Sequence, residues 1–234
     1  MHPPHTASSP ETRRSHGPLR LAGALAVCSA LLLVTVATAW HPLMSVDGSV
    51  ARTTHRWAVD EPALTRTFRI LSDWVWDPQT MRLLCAVVVA WLVLRRAALW
   101  TAVWLVATVA LTTAVQQGVK AAVGRRRPHW PDPVDSAHYA AYPSGHAMTA
   151  TVVCGLLLWL LYRWGAARTL FRALAAVAAV SVVGVGLTRV WLGVHWGTDV
   201  LGGWLLGALV VALAVAAHRR WLPDPPRRKP DATR

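Results

Sequence analysis

The chain has 234 residues, of which 54% are hydrophobic and 15% are charged. A globular protein has roughly 45–50% apolar and about 25% charged residues, so both a soluble domain and a disordered chain are excluded. The net charge is +13, but the basic residues lie at the ends of apolar runs and form no amphipathic basic face. The composition therefore predicts a polytopic membrane protein with no nucleic-acid partner.

Six apolar segments lie between two polar tails. The N-terminal tail, residues 1–18, has no hydrophobic period and is expected to be disordered, and the basic C-terminal tail covers residues 219–234. Each segment approaches the roughly 20 residues that cross a bilayer. The sequence thus predicts an all-α fold, a six-transmembrane-helix bundle within residues 19–218. Its segments are residues 21–39, 83–94 (starting near Pro78), 97–119, 139–162, 173–188 and 200–217.

The basic residues favour one orientation in the membrane. With both termini in the cytoplasm, 14 of the 24 Lys and Arg residues lie on the cytoplasmic side. Cytoplasmic loops and tails carry such an excess in membrane proteins, so we expect both termini to be cytoplasmic. The first segment has an alternative interpretation as a signal peptide cleaved after residues 37–39. Its 19 uncharged residues exceed the usual apolar region of about 7–15, which favours an uncleaved helix.

Residues 41–77 form an external segment between the first two spans. Aromatic residues alternate there with arginines and acids. This mixture indicates one or two helices lying on the bilayer surface. An ordinary solvated loop with aromatic anchors is the alternative.

Polar residues gather in three clusters beside the later spans. In a membrane chain, ionisable residues that are not simple end-caps mark a functional site by default. The predicted topology places all three clusters on the outer side, where their side chains can meet. The clusters are KAAVGRRRP at residues 120–128, YPSGHA at residues 142–147 and TRVWLGVHWGTD at residues 188–199.

The first and third clusters supply three cations that can converge on one anion. Arg127 and Arg189 can bind phosphate oxygens in a bidentate fork, while Lys120 acts as a point charge. Taken alone, each cation would be an ordinary end-cap of a membrane helix. Their occurrence on one side of the membrane, in order and with the other clusters, favours an anion site.

The second cluster is typical of a helix start. Pro143 would fix the first turn, Ser144 would cap the helix, and Gly145 would let a ligand approach the backbone. The free N–H groups and the positive dipole end of such a helix favour a phosphate. The simpler explanation, ordinary turn residues before a helix, applies if the cluster stands alone.

The histidines supply the reactive groups. His195 and Asp199 are four residues apart, so on a helix they would share a face, and the carboxylate would hold the imidazole tautomer. The far nitrogen of His195 would then be the better nucleophile, leaving His146 for general acid catalysis. Together with the three cations, these groups indicate metal-free phosphoryl transfer through a phosphohistidine.

The three clusters resemble the motifs of the type 2 phosphatidic acid phosphatase superfamily, which also includes vanadium haloperoxidases. The family pattern is Lys-x6-Arg-Pro, then Pro-Ser-Gly-His, then Ser-Arg-x5-His-x3-Asp. Lys120-x6-Arg127-Pro128 and Pro143 to His146 match it fully, and Thr188 replaces the usual Ser of the third motif. The resemblance implies that His195 is the nucleophile, Asp199 orients it, and His146 is the acid and then the base. It also implies phosphate binding by Lys120, Arg127, Arg189, Ser144 and Gly145, with no metal and no cofactor.

The resemblance implies a metal-independent membrane phosphatase with its site at the outer face. Polyprenyl pyrophosphate, phosphatidate or phosphatidylglycerophosphate are the expected lipid substrates, and neither the particular lipid nor the oligomeric state follows from the sequence. Transfer of the phosphoryl group to another acceptor uses the same residues and stays an alternative, as does a non-catalytic scaffold or lipid transporter. A haloperoxidase is disfavoured by the six spans. Flanking residues with no assigned role are Arg125, Arg126, His129, Trp130, His138 and Tyr142.

Overall fold

A computed structural model describes residues 17–221 of the chain. Those residues form helices and connections without a β-strand, which confirms the all-α prediction. Residues 1–16 of the N-terminal tail, which the sequence predicts to be disordered, lie outside the described residues. Residues 222–234 of the C-terminal tail lie outside them as well. The elements are α1 (Gly17–Ala37), α2 (His41–Asp60), α3 (Pro62–Ile70), a π-helical turn (Leu71–Val75), α4 (Pro78–Arg96), α5 (Leu99–Val123), α6 (Gly145–Arg163), α7 (Arg168–Trp191) and α8 (Gly197–Trp221).

Within residues 17–221, six helical stretches are long and apolar enough to cross a membrane. They are α1, the continuous stretch from α3 through α4, and each of α5 to α8. The predicted count of six spans is confirmed, and the protein is a multi-pass membrane protein. The order of spans puts the connections 124–144 and 192–196 at the same end of the bundle, where the three polar clusters lie.

The ends of the spans follow from local chemistry. The Asp77 carboxylate accepts hydrogen bonds from the N–H groups of Gln79 (2.7 Å) and Thr80 (3.3 Å), so α4 begins at Pro78 as predicted. The helix of the fourth segment begins at Gly145, and residues 139–144 of that segment are not helical.

The external segment 41–77 is helical, so the solvated-loop alternative is wrong. It forms α2, α3 and the π-helical turn, and its placement on the bilayer surface stays a prediction. The buried positions of α2 recur every three or four residues, which gives the helix one inward face. They are Asp47, Ala51, His55 and Ala58.

Close packing between α6 and α8 brings two helix starts together. A side chain at Gly203 would place its Cβ 2.7 Å from the Ser144 carbonyl oxygen, so only glycine allows this approach. The Ser144 N–H donates to the Asp199 carbonyl at 2.9 Å. In lipid, small residues stabilise helix pairs by letting backbones approach closely. The N-termini of α6 and α8 therefore meet at one end of the bundle, next to His195.

Candidate active site

His195 is held on both ring nitrogens. It is 2% exposed and lies in the connection between α7 and α8. Its Nε2 is 3.0 Å from Arg127 Nη1, and its Nδ1 is 3.2 Å from Asp199 Oδ2. A guanidinium only donates, so Nε2 accepts, and the ring proton lies on Nδ1 and is donated to Asp199. The expected pair exists, but the shared helix face was wrong, because His195 precedes α8 and Asp199 lies in its first turn.

The surroundings of His195 favour the neutral ring. Burial lowers its pKa well below the ordinary 6.5, and the positive charges of Arg127, Arg189, Lys120 and Arg125 lower it further. Burial, with the charge of Arg189, also lowers the pKa of Arg127, to about 10, which leaves it protonated at neutral pH. A neutral imidazole with its lone pair on Nε2 therefore faces a fixed positive charge.

Two of the three predicted cations hold the connection 124–144 against the helices. Arg127 donates to the carbonyl oxygens of Val194 (2.6 Å), Tyr139 (3.0 Å) and His138 (3.0 Å). Lys120 is buried near the end of α5, and its Nζ donates to the Ala140 carbonyl oxygen. Both side chains are thereby fixed beside His195, as the sequence predicts for a shared anion site.

The third cation, Arg189, faces residues that the sequence analysis did not single out. Its Nη1 donates to the buried Ser72 hydroxyl at 2.9 Å. The carboxylates of Asp73 and Asp135 lie 3.6 Å and 3.7 Å from the same nitrogen. Ser72 and Asp73 belong to the π-helical turn, which carries no recognisable motif. Sequence reasoning had no signal for them beyond the acids of the external segment.

The start of α6 differs from the prediction in two details. Ser144 is the N-cap, but within the described residues its buried hydroxyl makes no hydrogen bond, and Pro143 lies outside the helix, before the cap. A Cβ at Gly145 would lie 2.5 Å from the Gln116 side-chain amide. Gln116 is itself buried, one turn before Lys120 on α5, and its Oε1 has no partner within residues 17–221. Buried polar atoms are normally paired, so this hydroxyl and this amide mark a place for a polar ligand.

His146 is less constrained than His195. Its side chain is 19% exposed, and its Nε2 lies 3.9 Å from Asp77 Oδ1, too far for a hydrogen bond. It lies within electrostatic range of His195 and of the three cations, Arg189, Arg127 and Lys120. The structure thus brings together all the residues for which the sequence predicts roles.

Arg125, to which no role was assigned, makes extensive polar contacts near the site. Its guanidinium binds Asp199 on α8 and Asp47 on α2. A signal was present in the sequence, since Asp47 is an acid on the inward face of an amphipathic helix. Nothing in the sequence indicated which cation would pair with it.

The charges available to a ligand at this site are the chain's own cations. Within residues 17–221, no group of three or more His, Cys, Asp or Glu side chains could hold a metal ion. The neighbouring Tyr142 is fully buried, and burial together with the charge of Asp199 raises its pKa to about 12. The arrangement can therefore bind a phosphoryl group through Lys120, Arg127 and Arg189, with a neutral imidazole beside it.

Comparisons with known proteins identify the family to which this region of the chain is similar. The family model described as the PAP2 superfamily matches residues 101–223, more than half of the chain. The matched region contains all three polar clusters. Residues 17–100, including the external segment, lie before it.

Two curated relatives match part of the chain. Phosphatidylglycerophosphatase B of Bacillus subtilis strain 168 is 36% identical over 92 residues, which are 39% of this chain and 45% of the relative. An undecaprenyl-diphosphatase of Sulfolobus acidocaldarius is 34% identical over 85 residues, which are 36% of this chain and 35% of the relative. The chain thus matches less than half the length of either relative.

A solved structure has the same fold over most of the chain. The crystal structure of a transmembrane PAP2-type phosphatidylglycerolphosphate phosphatase from Bacillus subtilis superposes with a TM-score of 0.73 at 23% identity. The alignment covers 88% of this chain and 98% of that protein. At this identity the likeness establishes the fold.

Proposed function

Since the chain belongs to the PAP2 superfamily, we propose that it is a membrane phosphatase that hydrolyses lipid phosphates or diphosphates through a phosphohistidine on His195. The observation that carries the proposal is the state of His195. Its Nε2 lone pair is fixed next to Arg127 while Asp199 holds the proton on Nδ1. A buried neutral imidazole in this tautomer can attack phosphorus once a bound phosphate replaces it as the acceptor of the Arg127 hydrogen bond.

In the first step, Nε2 of His195 attacks phosphorus, and the bond from phosphorus to the leaving oxygen breaks. His146, protonated when the anionic phosphate offsets the surrounding cations, donates a proton to that oxygen, so a neutral alcohol or a protonated phosphate departs. The positive charge that develops on the His195 ring is stabilised by Asp199 through Nδ1–H. Lys120, Arg127 and Arg189 stabilise the equatorial oxygens as negative charge spreads over them.

In the second step, His146 accepts a proton from a water molecule, whose oxygen attacks phosphorus. The bond between phosphorus and Nε2 breaks, inorganic phosphate is released, and His195 returns to its neutral state. Hydrolysis and transfer to another acceptor diverge only here, at the identity of the second nucleophile. The reaction needs no electron donor and no metal.

We propose lipid phosphates as the substrate class because the site lies at the ends of membrane-spanning helices. His195 and the start of α6 are within one turn of candidate spans, so a phosphate on a lipid anchor would reach them without leaving the bilayer surface. The names of the two relatives suggest phosphatidylglycerophosphate and undecaprenyl diphosphate as the first lipids to test.

The proposed function is tested by phosphate release from purified protein in detergent containing EDTA. We expect the wild type to hydrolyse at least one of undecaprenyl diphosphate, phosphatidylglycerophosphate and phosphatidate, and His195→Ala to be inactive. His129→Ala is the matched control, because His129 is exposed in the connection 124–144 at the same end of the bundle and no role is assigned to it. Release by His195→Ala equal to that of the wild type would contradict the proposal, as would no release from any lipid.

We also propose that both termini are cytoplasmic and that the site faces the outside. Ser136 and Ala167 are exposed residues in the connections at opposite ends of the bundle. In a chain whose three native cysteines are replaced by alanine, an impermeant maleimide should label Ser136→Cys in intact cells. Ala167→Cys should react only after lysis. The reverse pattern would place the site in the cytoplasm.

A further inference from the structure

We propose that Arg125 is a positioning residue for the nucleophile, acting through Asp199, and that Asp47 holds Arg125 in place. The inference rests on the proposed function, in which His195 attacks phosphorus. It assigns a role to one of the six unspecified positions within the first motif and gives the external helix α2 a part in catalysis.

The guanidinium of Arg125 bridges two buried carboxylates. Its Nη1 lies 2.6 Å from Asp199 Oδ1, and its Nη2 lies 2.8 Å from Asp47 Oδ2. Nη1 also donates to the Thr198 hydroxyl at 2.6 Å. The Arg125 side chain is only 10% exposed, and its guanidinium stacks over the Trp196 ring at 5.5 Å. Contacts of this kind on every side fix the position of the charge.

Asp47 ties the start of α8 to α2. Its Oδ1 accepts a hydrogen bond from the Thr198 N–H at 3.0 Å, and its Oδ2 accepts one from the Thr198 hydroxyl. Asp47 therefore binds both Arg125 and the first turn of the helix that carries Asp199. Both ends of the Arg125–Asp199 pair are fixed by the same carboxylate.

The contacts to Asp199 determine which of its two oxygens binds His195. Arg125 occupies Oδ1, while Oδ2 accepts from the Trp196 N–H at 2.9 Å and from His195 Nδ1. A fully buried carboxylate is costly unless a positive partner compensates it. Arg125 supplies that partner and fixes the carboxylate plane, so Oδ2 points at Nδ1 and the lone pair lies on Nε2, where it accepts from Arg127.

The charge of Arg125 also acts on the protonation of His195. Its removal takes away one of the positive charges that lower the pKa of the ring, so the neutral nucleophile would be lost at a higher pH. The other charged and titratable groups facing His195 stay in place in such a variant. They are Arg127, Lys120, Arg189, Asp199 and His146.

The test compares Arg125→Gln and Arg125→Lys with Arg126→Gln in the detergent assay. Arg126 is the neighbouring arginine with an exposed side chain, so its variant has the same charge change without the contact to Asp199. We expect Arg125→Gln to lower kcat about 100-fold with KM changed less than about threefold, because the chemical step depends on the orienting carboxylate. The acid limb of kcat/KM should move to higher pH. Arg125→Lys, which keeps the charge, should keep the wild-type acid limb and recover part of kcat.

The result that overturns the inference is a folded Arg125→Gln with the kcat and pH profile of the wild type, or with the same loss as Arg126→Gln. If Arg125→Gln does not fold, the milder Arg125→Lys and Asp47→Asn decide, and a wild-type kcat in both contradicts the inference. Failure of the proposed function looks different, because then the wild type itself is inactive or His195→Ala is active.

Discussion

The site has two walls that differ in what they contribute. The motif wall, residues 120–127, 142–147 and 188–199, supplies the cations and both histidines. The segment wall, residues 41–77, supplies mainly hydrogen-bond acceptors. Three of these face a basic group of the motif wall: Asp47 faces Arg125, Ser72 faces Arg189, and Asp77 lies near His146.

The difference separates chemistry from support. Groups that would touch a phosphate come from two connections between consecutive spans and from the helical turns next to them, where fixed spacing determines how they meet. Acceptors that hold those groups come from a segment far away in the chain. The acceptors of the segment wall thus balance the excess positive charge at the edge of the anion site. Removing one of them would leave a buried cation unpaired, which lowers the free energy of unfolding.

The largest expected effect tests whether Asp199 orients the His195 ring within the motif wall. Asp199→Asn should lower kcat/KM about 10³- to 10⁴-fold, because both Asp199 oxygens accept from donors and an amide NH₂ cannot. An NH₂ turned towards His195 would force the proton onto Nε2. The measurement is phosphate release from the best lipid substrate.

Asp60→Asn controls for the loss of one carboxylate, since Asp60 is exposed at the end of α2. Full activity in a folded Asp199→Asn would show that the tautomer of His195 does not depend on this pair.

The next effect asks whether His146 is the acid. His146→Ala should lower kcat for a lipid phosphate about 10²- to 10⁴-fold, because an alkoxide leaves poorly without a proton. With p-nitrophenyl phosphate, whose leaving group needs no proton, His146→Ala should cause a smaller loss in the rate of phosphoryl transfer to His195. Burst kinetics of p-nitrophenolate release measure that step. An equal loss with both substrates would rule out a role in leaving-group protonation.

The motif wall could be predicted from the sequence and the segment wall could not. The residues of the motif wall are spaced so that they come close together once the spans are helical and the connections join them. They include Lys120, Arg127, Ser144 and His146. Asp47 and Ser72 reach the site through packing of α2 onto α7 and α8 and of the π-helical turn onto α7, which no local pattern specifies.

The same limit applies to finer geometry. The spacing of His195 and Asp199 indicated a pair but placed both on one helix. The start of α8 at Gly197, between the two residues, cannot be located from propensity. The six spans were predictable because length and apolarity alone determine them.

On the segment wall the expected effects are smaller. Ser72→Ala should lower kcat/KM about tenfold, because a hydrogen bond from a charged donor is worth about 1.5–3 kcal/mol and the two carboxylates near Arg189 offset part of that loss. Ser49→Ala, an exposed serine on α2, is the matched control. A loss of more than about 100-fold would mean that Ser72 takes part in the chemistry, and the division between the walls would fail.

The smallest effect concerns the stability of the motif wall as pH falls. The pKa of His195 is lowered in the folded protein, so below the ordinary 6.5 the unfolded chain takes up a proton that the folded chain does not. Stability that His195 contributes above 6.5 is therefore lost on acidification, by up to about 1.4 kcal/mol per pH unit. In phosphate-free detergent solution, the unfolding temperature of the wild type should fall relative to that of His195→Gln between pH 7.5 and pH 5, with a constant offset above pH 7. His129→Gln should show no such change, and a constant offset for His195→Gln over the whole range would mean that the ring is not held neutral.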